Sequence, residues 1–218
     1  MIARKVFAEA LGALLLTACV VGSGIMAEQL AGGNAAVALL ANTLATVAVL
    51  ATLIALFGPI SGAHFNPVVS AVALHNRQID ARTAAFYAVA QIAGCCAGAI
   101  LANAMFDLPL VHASNHVRTG LAQWLSEWVA TAGLIFVAFR SPTFNDAAWR
   151  VSLWIGAAYW FTASTSFANP AITIGRSLSD TFAGIRPIDI PGFIAAQAAG
   201  AVVGVVLLNM FRDRKVVA

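Results

Sequence analysis

The sequence predicts an all-α membrane protein with six transmembrane helices and two half-helices in an inverted repeat. Three observations carry this prediction: an apolar composition, six long uncharged stretches, and matching segments in the two halves of the chain. Of the 218 residues, 61% are hydrophobic and 10% are charged, whereas charged residues make up about a quarter of a soluble globular chain. The mean hydropathy of +0.86 also favours an integral membrane protein.

Six apolar segments are long enough to cross a hydrocarbon layer of about 30 Å as helices. The first follows Arg4 and Lys5 like a signal peptide, but it is too long for one and contains Glu9. Two further apolar stretches, 66–74 and 169–182, are too short to span at about 1.5 Å per residue. The six predicted spans are 6–27, 35–57, 83–105, 121–139, 148–165 and 190–211.

The chain contains an internal repeat. "YAVAQIAGCCAGAILAN" at 87–103 resembles "FIAAQAAGAVVGVVLLN" at 193–209, and "FNPVVSAVAL" at 65–74 resembles "ANPAITIGRSL" at 168–178. Glu9 pairs with Glu127 in the same comparison. We therefore predict a single channel domain, 1–218, with repeats at 1–108 and 119–218. Three spans per half invert the second half, so that the short segments meet near the midplane, where broken helices are typical of transport sites.

The distribution of basic residues predicts the orientation. With the N-terminus inside, nine basic residues lie on the cytoplasmic side and three outside, which is the usual bias of inner (plasma) membrane proteins. Both termini are then cytoplasmic, and the net charge of +3 does not indicate nucleic-acid binding. The nine are Arg4, Lys5, Arg77, Arg82, Arg140, Arg150, Arg212, Arg214 and Lys215; the three are Arg118, Arg176 and Arg186.

Each short segment begins with an Asn-Pro pair. Asn66 and Asn169 are good N-caps, and Pro67 and Pro170 suit the first helical turn. Each helix start carries roughly half a positive charge, so two of them facing one point would hold a neutral solute with lone pairs and repel a cation. A single Asn-Pro would indicate only a turn, but two copies in a repeat favour a pore.

These motifs resemble the aquaporin or major intrinsic protein family. "SGAHFNP" at 61–67 and "ANPA" at 168–171 match the signature loops of that family, with Val68 where alanine is usual. The resemblance implies an aquaporin-like fold and a homotetramer with one pore per subunit. It also implies that Glu9 and Glu127 accept hydrogen bonds from the loops; the alternative is that they reach for the membrane interface.

The filter of the pore departs from the family pattern. An arginine usually follows the second Asn-Pro-Ala, whereas this chain has Ile172. Counting from the asparagines puts the other filter positions at Thr46, Ala157 and Ser166. These residues predict a wider, less polar filter that has neither a bulky ring nor a charge.

Three more residues belong near this path. His64 precedes Asn66 by two positions, and Phe167 precedes Asn169 by two. His64 either lines the path or packs within its loop and presents only its backbone carbonyl. Arg176 lies one turn beyond Ile172 on the same helix face. It either forms a positive outer vestibule or pairs with Asp180 at the surface.

The pattern most resembles a bacterial aquaglyceroporin-like subgroup that conducts metalloid hydroxides such as arsenous acid. We expect a passive channel in the lipid bilayer for small neutral solutes: water, glycerol and metalloid hydroxides. The alternatives are a water channel with an unusual wide filter, an ion-coupled transporter and a non-conducting scaffold. No nucleophile–base pair or cofactor motif suggests an enzyme. His112 and His116 lack the further ligands of a metal site.

Overall fold

A computed structural model describes residues 2–211 of the chain. Within them the backbone forms eight α-helices and one 3₁₀ turn at Pro187–Asp189, and it contains no strand. Arg212, Arg214 and Lys215, which the charge count placed on the cytoplasmic side, lie outside the described residues. The helices are α1 Ile2–Leu30, α2 Ala35–Ser61, α3 Pro67–His75, α4 Ala81–Met105, α5 Leu121–Phe139, α6 Phe144–Phe161, α7 Pro170–Arg176 and α8 Ile190–Met210.

The six predicted spans correspond to α1, α2, α4, α5, α6 and α8. Five of these helices are long and apolar enough to cross a membrane by length and composition, whereas α6 is not among them. The predicted span 148–165 begins and ends later in the chain than α6 does. Thr143 starts the helix by accepting a hydrogen bond from the Asp146 N–H at 3.1 Å, and the helix ends at Phe161.

The short segments form α3 and α7, and α7 ends six residues before the predicted boundary. Residues 177–182 leave the helix because their backbone pairs with the segment that connects the two halves. The His112 N–H donates to the Leu178 carbonyl at 3.2 Å, and the Ser114 N–H donates to the Ser177 carbonyl at 3.0 Å. The connecting segment is thereby fixed against the end of α7.

Glycines permit two close helix crossings, and in each of them a glycine lies against a backbone carbonyl of the other helix. α1 packs against α4, and α5 packs against α8. A Cβ atom on Gly94 would overlap the Ala10 carbonyl oxygen, and one on Gly200 would overlap the Trp128 carbonyl oxygen. Only glycine allows the backbones to approach so closely at these positions. The matched glycines of the repeat therefore serve packing.

The two short helices meet inside the ring of long helices. α3 contacts α4 and α8, α7 contacts the same two helices, and α3 and α7 contact each other. Both begin at buried asparagines, since Asn66 and Asn169 are each 4% exposed. This packing brings the two Asn-Pro turns together from opposite ends of the sequence.

Candidate functional site

Glu9 holds the loop that leads into α3. Its Oε1 accepts hydrogen bonds from the His64 N–H at 3.0 Å and the Ser61 hydroxyl at 2.6 Å. Its Oε2 accepts from the Phe65 N–H at 2.7 Å and the Gln91 amide at 2.8 Å. Four donors thus satisfy a carboxylate that is fully buried, which is how a charge is tolerated in an interior.

Glu127 makes the equivalent contacts in the second half. Oε1 accepts from the Ser164 hydroxyl at 2.6 Å and the Phe167 N–H at 2.8 Å, and Oε2 from the Ala168 N–H at 2.8 Å and the Gln197 amide at 2.7 Å. Its side chain is also fully buried. The alternative that these glutamates reach for the membrane interface is therefore wrong.

The loops that the glutamates hold have an unusual backbone. Phe65 and Ala168, each directly before an asparagine, have φ values of 48°. Ala63 and Ser166, two residues earlier, have φ values of 49° and 51°. Residues other than glycine rarely adopt this left-handed region, and they keep it only where surrounding contacts impose it. The glutamate hydrogen bonds supply such contacts on both loops.

Each asparagine caps its own short helix and binds the opposite loop. Asn66 Oδ1 accepts from the Val68 N–H at 3.1 Å, and Asn169 Oδ1 accepts from the Ala171 N–H at 2.9 Å. Asn66 Nδ2 donates to the Ala168 carbonyl and Asn169 Nδ2 to the Phe65 carbonyl, both at 2.8 Å. An amide nitrogen has two N–H groups, so each asparagine keeps one donor for a solute.

A cavity of about 660 Å³ passes these asparagines. One end is lined by Lys5 and Phe144, in the first turns of α1 and α6, and the other by Tyr159, near the end of α6. From Phe144 to Tyr159, α6 rises by about 22 Å at 1.5 Å per residue. The cavity is therefore long and extends along most of that helix.

Most of the residues predicted for the path line this cavity, but Ala157 does not. Ala157 is exposed on the outer surface of the helix bundle, beside Phe136 and Trp154. Side chains two positions apart point to nearly opposite sides of a helix, so Tyr159 faces the cavity instead. The residues from the prediction that do line it are Thr46, His64, Asn66, Ser166, Phe167, Asn169, Ile172 and Arg176.

Tyr159 changes the expected character of the filter. Its hydroxyl lies 3.3 Å from the Thr46 hydroxyl, within hydrogen-bonding distance, and both side chains are buried. The expectation of a filter without a bulky ring is therefore wrong. The counting error of two residues arose because the offset from Asn169 back to α6 depends on the length of the loop between them.

Arg176 is buried and does not pair with Asp180. It is 3% exposed, its Nε donates to the Ala183 carbonyl, and its Cζ lies 3.4 Å from the centre of the Phe167 ring. Asp180 instead accepts from the Asn115 N–H at 2.8 Å, which lowers the pKa of this carboxyl. Of the two alternatives for Arg176, the surface pair with Asp180 is wrong, and the residue lines the cavity.

Sequence reasoning missed the role of Arg118, in the connecting segment. Its guanidinium donates to the carbonyls of Gly184 at 2.7 Å, Ser164 at 3.3 Å and Phe182 at 3.4 Å. Burial lowers its pKa to about 10, so the side chain stays charged at neutral pH. Arg118 lies in a loop without any periodic pattern. The one signal in the sequence was that this basic residue has no acidic residue near it in the chain.

His64 lies beside the cavity and also packs against its own loop. Its side chain lines the cavity, and its Nδ1 lies 3.0 Å from the Ser70 hydroxyl, so it is also packed within the loop. His112 and His116 stay on the connecting segment. Among residues 2–211 no group of three histidine, cysteine or acidic side chains is arranged to hold a metal ion.

Comparison with known proteins agrees with this geometry. A model of the major intrinsic protein family matches residues 1–147. The chain belongs to that family. It is 53% identical over 208 residues to aquaglyceroporin AqpS of Rhizobium meliloti (strain 1021), which covers 94% of this chain and 89% of that protein. It is 32% identical over 188 residues to aquaporin A of Dictyostelium discoideum, covering 79% and 67% of the two chains.

The fold is that of a solved member. The X-ray structure of the aquaglyceroporin from Plasmodium falciparum superposes with a TM-score of 0.72 at 18% identity, covering 97% of each chain. The aquaporin-like fold predicted from the sequence is thereby confirmed. The family consists of channels and not of enzymes, and this chain is a membrane channel for small neutral solutes.

Proposed function

We propose that this protein is a passive channel for compact hydroxylated solutes, with glycerol and arsenous acid as representative cargo. The observation that supports this most directly is the composition of the cavity beyond the asparagines. Thr46 and Tyr159, which carry hydroxyl groups, line it together with the apolar side chain of Ile172. A solute with several hydroxyls finds partners there, and its non-polar side meets an apolar wall.

The asparagine region supports passage of neutral solutes and rejection of cations. The half-helices α3 and α7 begin there, and each start carries roughly half a positive charge. The amide donors of Asn66 and Asn169 suit an oxygen lone pair. The inverted arrangement of repeats 1–108 and 119–218 would let both half-helices approach this point from opposite sides of the membrane.

Osmotic measurements on proteoliposomes test the proposal. Stopped-flow light scattering should detect water flux and, in separate gradients, entry of glycerol, urea and arsenous acid above that of protein-free vesicles. Water flux together with complete exclusion of all three larger solutes would overturn it.

A second candidate is a water channel with an unusual filter. The presence of Tyr159 and Arg176 in the cavity wall favours this alternative, because a ring and a charged group both narrow a path. The same experiment separates the two, since a pure water channel excludes glycerol.

We further propose a homotetramer in the plasma membrane with both termini cytoplasmic. The family resemblance supports the assembly, and the distribution of basic residues supports the orientation. Mass measurement of the detergent-solubilised protein tests the first, and labelling of single cysteines introduced near residue 3 in intact cells tests the second.

A further inference from the structure

We infer that Arg176 supplies the positive charge of the outer part of the pathway, and that it determines the rejection of small cations despite the isoleucine at position 172. This inference rests on the proposed function as a solute channel. It deepens that function by assigning the charge selectivity to a residue one turn further along α7 than the position counted from the Asn-Pro-Ala motif.

The donors of Arg176 are only partly used. A guanidinium has five N–H groups, and the Nε–H of Arg176 is bound to the Ala183 carbonyl. Within residues 2–211 its two terminal nitrogens make no hydrogen bond, and they are not among the sealed polar atoms that lack a partner. Arg176 lines the cavity, so the N–H donors of these terminal nitrogens remain free for a solute that reaches them.

Arg118 shows the contrasting, structural use of an arginine at the same place. Its Nε, Nη1 and Nη2 all donate to backbone carbonyls. The two arginines lie near the same Phe167 ring, with Cζ atoms 3.4 Å (Arg176) and 5.1 Å (Arg118) from its centre. Two positive charges are thereby concentrated beside one point of the pathway.

Among residues 2–211 the guanidinium of Arg176 makes no ion pair with an acidic side chain. The two ion pairs among the described residues are Arg150 with Asp146 and Arg186 with Asp189. A buried charge without a counter-ion is unfavourable, and such residues inside a membrane protein mark functional paths. A cation that enters the cavity meets this positive charge, whereas a neutral solute meets hydrogen-bond donors.

The same arrangement explains why an isoleucine is suitable at position 172. Residues four apart lie on one face of a helix, so an arginine there would be next to Arg176. The two like charges would repel. Ile172 instead gives the pathway an apolar wall, and the charge comes from the next turn.

The test uses urea and guanidinium, which have nearly the same size and shape but differ by one charge. Uptake of each radiolabelled solute is measured in proteoliposomes with the membrane potential held at zero. The native protein should take up urea and leave guanidinium at the level of protein-free vesicles. Arg176→Met keeps an unbranched side chain against Phe167 and removes the charge. This variant should raise guanidinium uptake relative to urea uptake by at least about tenfold. The reason is the repulsion between a passing unit cation and the arginine charge within ~8 Å of it, at an effective dielectric of ~20.

Two further variants control for charge and position. Arg176→Lys keeps the charge and should still exclude guanidinium. Arg186→Gln removes a partly exposed positive charge near Asp189 and should behave as the native protein. Urea uptake that persists in Arg176→Met while guanidinium stays excluded would overturn the inference, as would guanidinium entry through Arg186→Gln.

If Arg176→Met does not fold, a second variant tests the same inference. Ile172→Glu places a carboxylate one turn from Arg176, where the pair at i, i+4 neutralises the charge without removing the arginine. Guanidinium uptake should rise in this variant, and unchanged exclusion in a variant that still conducts water would overturn the inference. If the native protein passes water but neither urea nor glycerol, the proposed function is wrong, but the inference about Arg176 is still open to test. The ratio of guanidinium uptake to water permeability, compared between the native protein and the variants, then tests the inference separately.

Discussion

Replacing Ile172 by arginine tests whether this residue forms a wall of the pathway. Ile172 is 7% exposed and lines the cavity one turn before Arg176. Cβ atoms at i and i+4 of a helix lie about 5–6 Å apart, and two unit charges ~6 Å apart repel by about 3 kcal/mol at an effective dielectric of ~20. The introduced guanidinium should therefore turn away from Arg176 and into the space that solutes cross.

The expected consequence is a selective loss of bulky solutes. An extra side chain that intrudes on a fitted contact costs about 1–3 kcal/mol, and each ~1.4 kcal/mol is a tenfold change in rate. Glycerol permeability of Ile172→Arg should thus fall by about 5- to 150-fold, while water permeability falls less because water is smaller. Stopped-flow light scattering on proteoliposomes of equal protein content measures both.

Ile172→Leu is the matched control, because it keeps an apolar side chain of the same volume. It should leave the ratio of glycerol to water permeability unchanged. Equal losses of water and glycerol flux in Ile172→Arg, or no change in either, would refute the assignment of Ile172 to the wall of the pathway.

Three other predictions concern proton exclusion, loop support and the connecting segment. Proteoliposomes of the native protein should hold a proton gradient, whereas those of Asn66→Asp or Asn169→Asp should leak protons, because a carboxylate would stand where cations are repelled. A pH-sensitive dye in the lumen measures the gradient. Rapid dissipation of the gradient by the native protein would contradict the prediction. Glu127→Gln replaces one of two acceptor oxygens by a donor and leaves buried donors unpaired, at a cost of about 1–3 kcal/mol each. The melting temperature in detergent should therefore fall. An unchanged melting temperature would show that the loop needs no carboxylate. The hydrogen bond from the Asn115 N–H lowers the pKa of Asp180. Docking of the connecting segment should therefore be complete above the unfolded pKa of about 3.9 and be lost as the pH falls through the lower folded pKa. Amide exchange of residues 112–118 should show this loss, and Asp180→Asn should remove most of the pH dependence.

The sequence by itself determined the architecture, because that information is local or repeated. Apolar stretches give the spans, and the Asn-Pro pairs fix the helix starts through the backbone geometry of two adjacent residues. The matching of Glu9 with Glu127 was visible in the repeat, and each glutamate indeed holds the loop of its own half. These features depend on few neighbours, so the chain encodes them without a three-dimensional frame.

Tertiary structure alone decided which residues line the end of the cavity near Tyr159 and Arg176. Whether Ala157 or Tyr159 faces the path depends on the rotation of α6 about its axis, which packing against α2 sets and residue counting across a loop does not. Arg176 and Arg118 meet at Phe167 although 58 positions separate the two arginines in the sequence. The environment of a charge is the sum of groups from distant segments, so a surface arginine and a buried one look identical until the chain is folded.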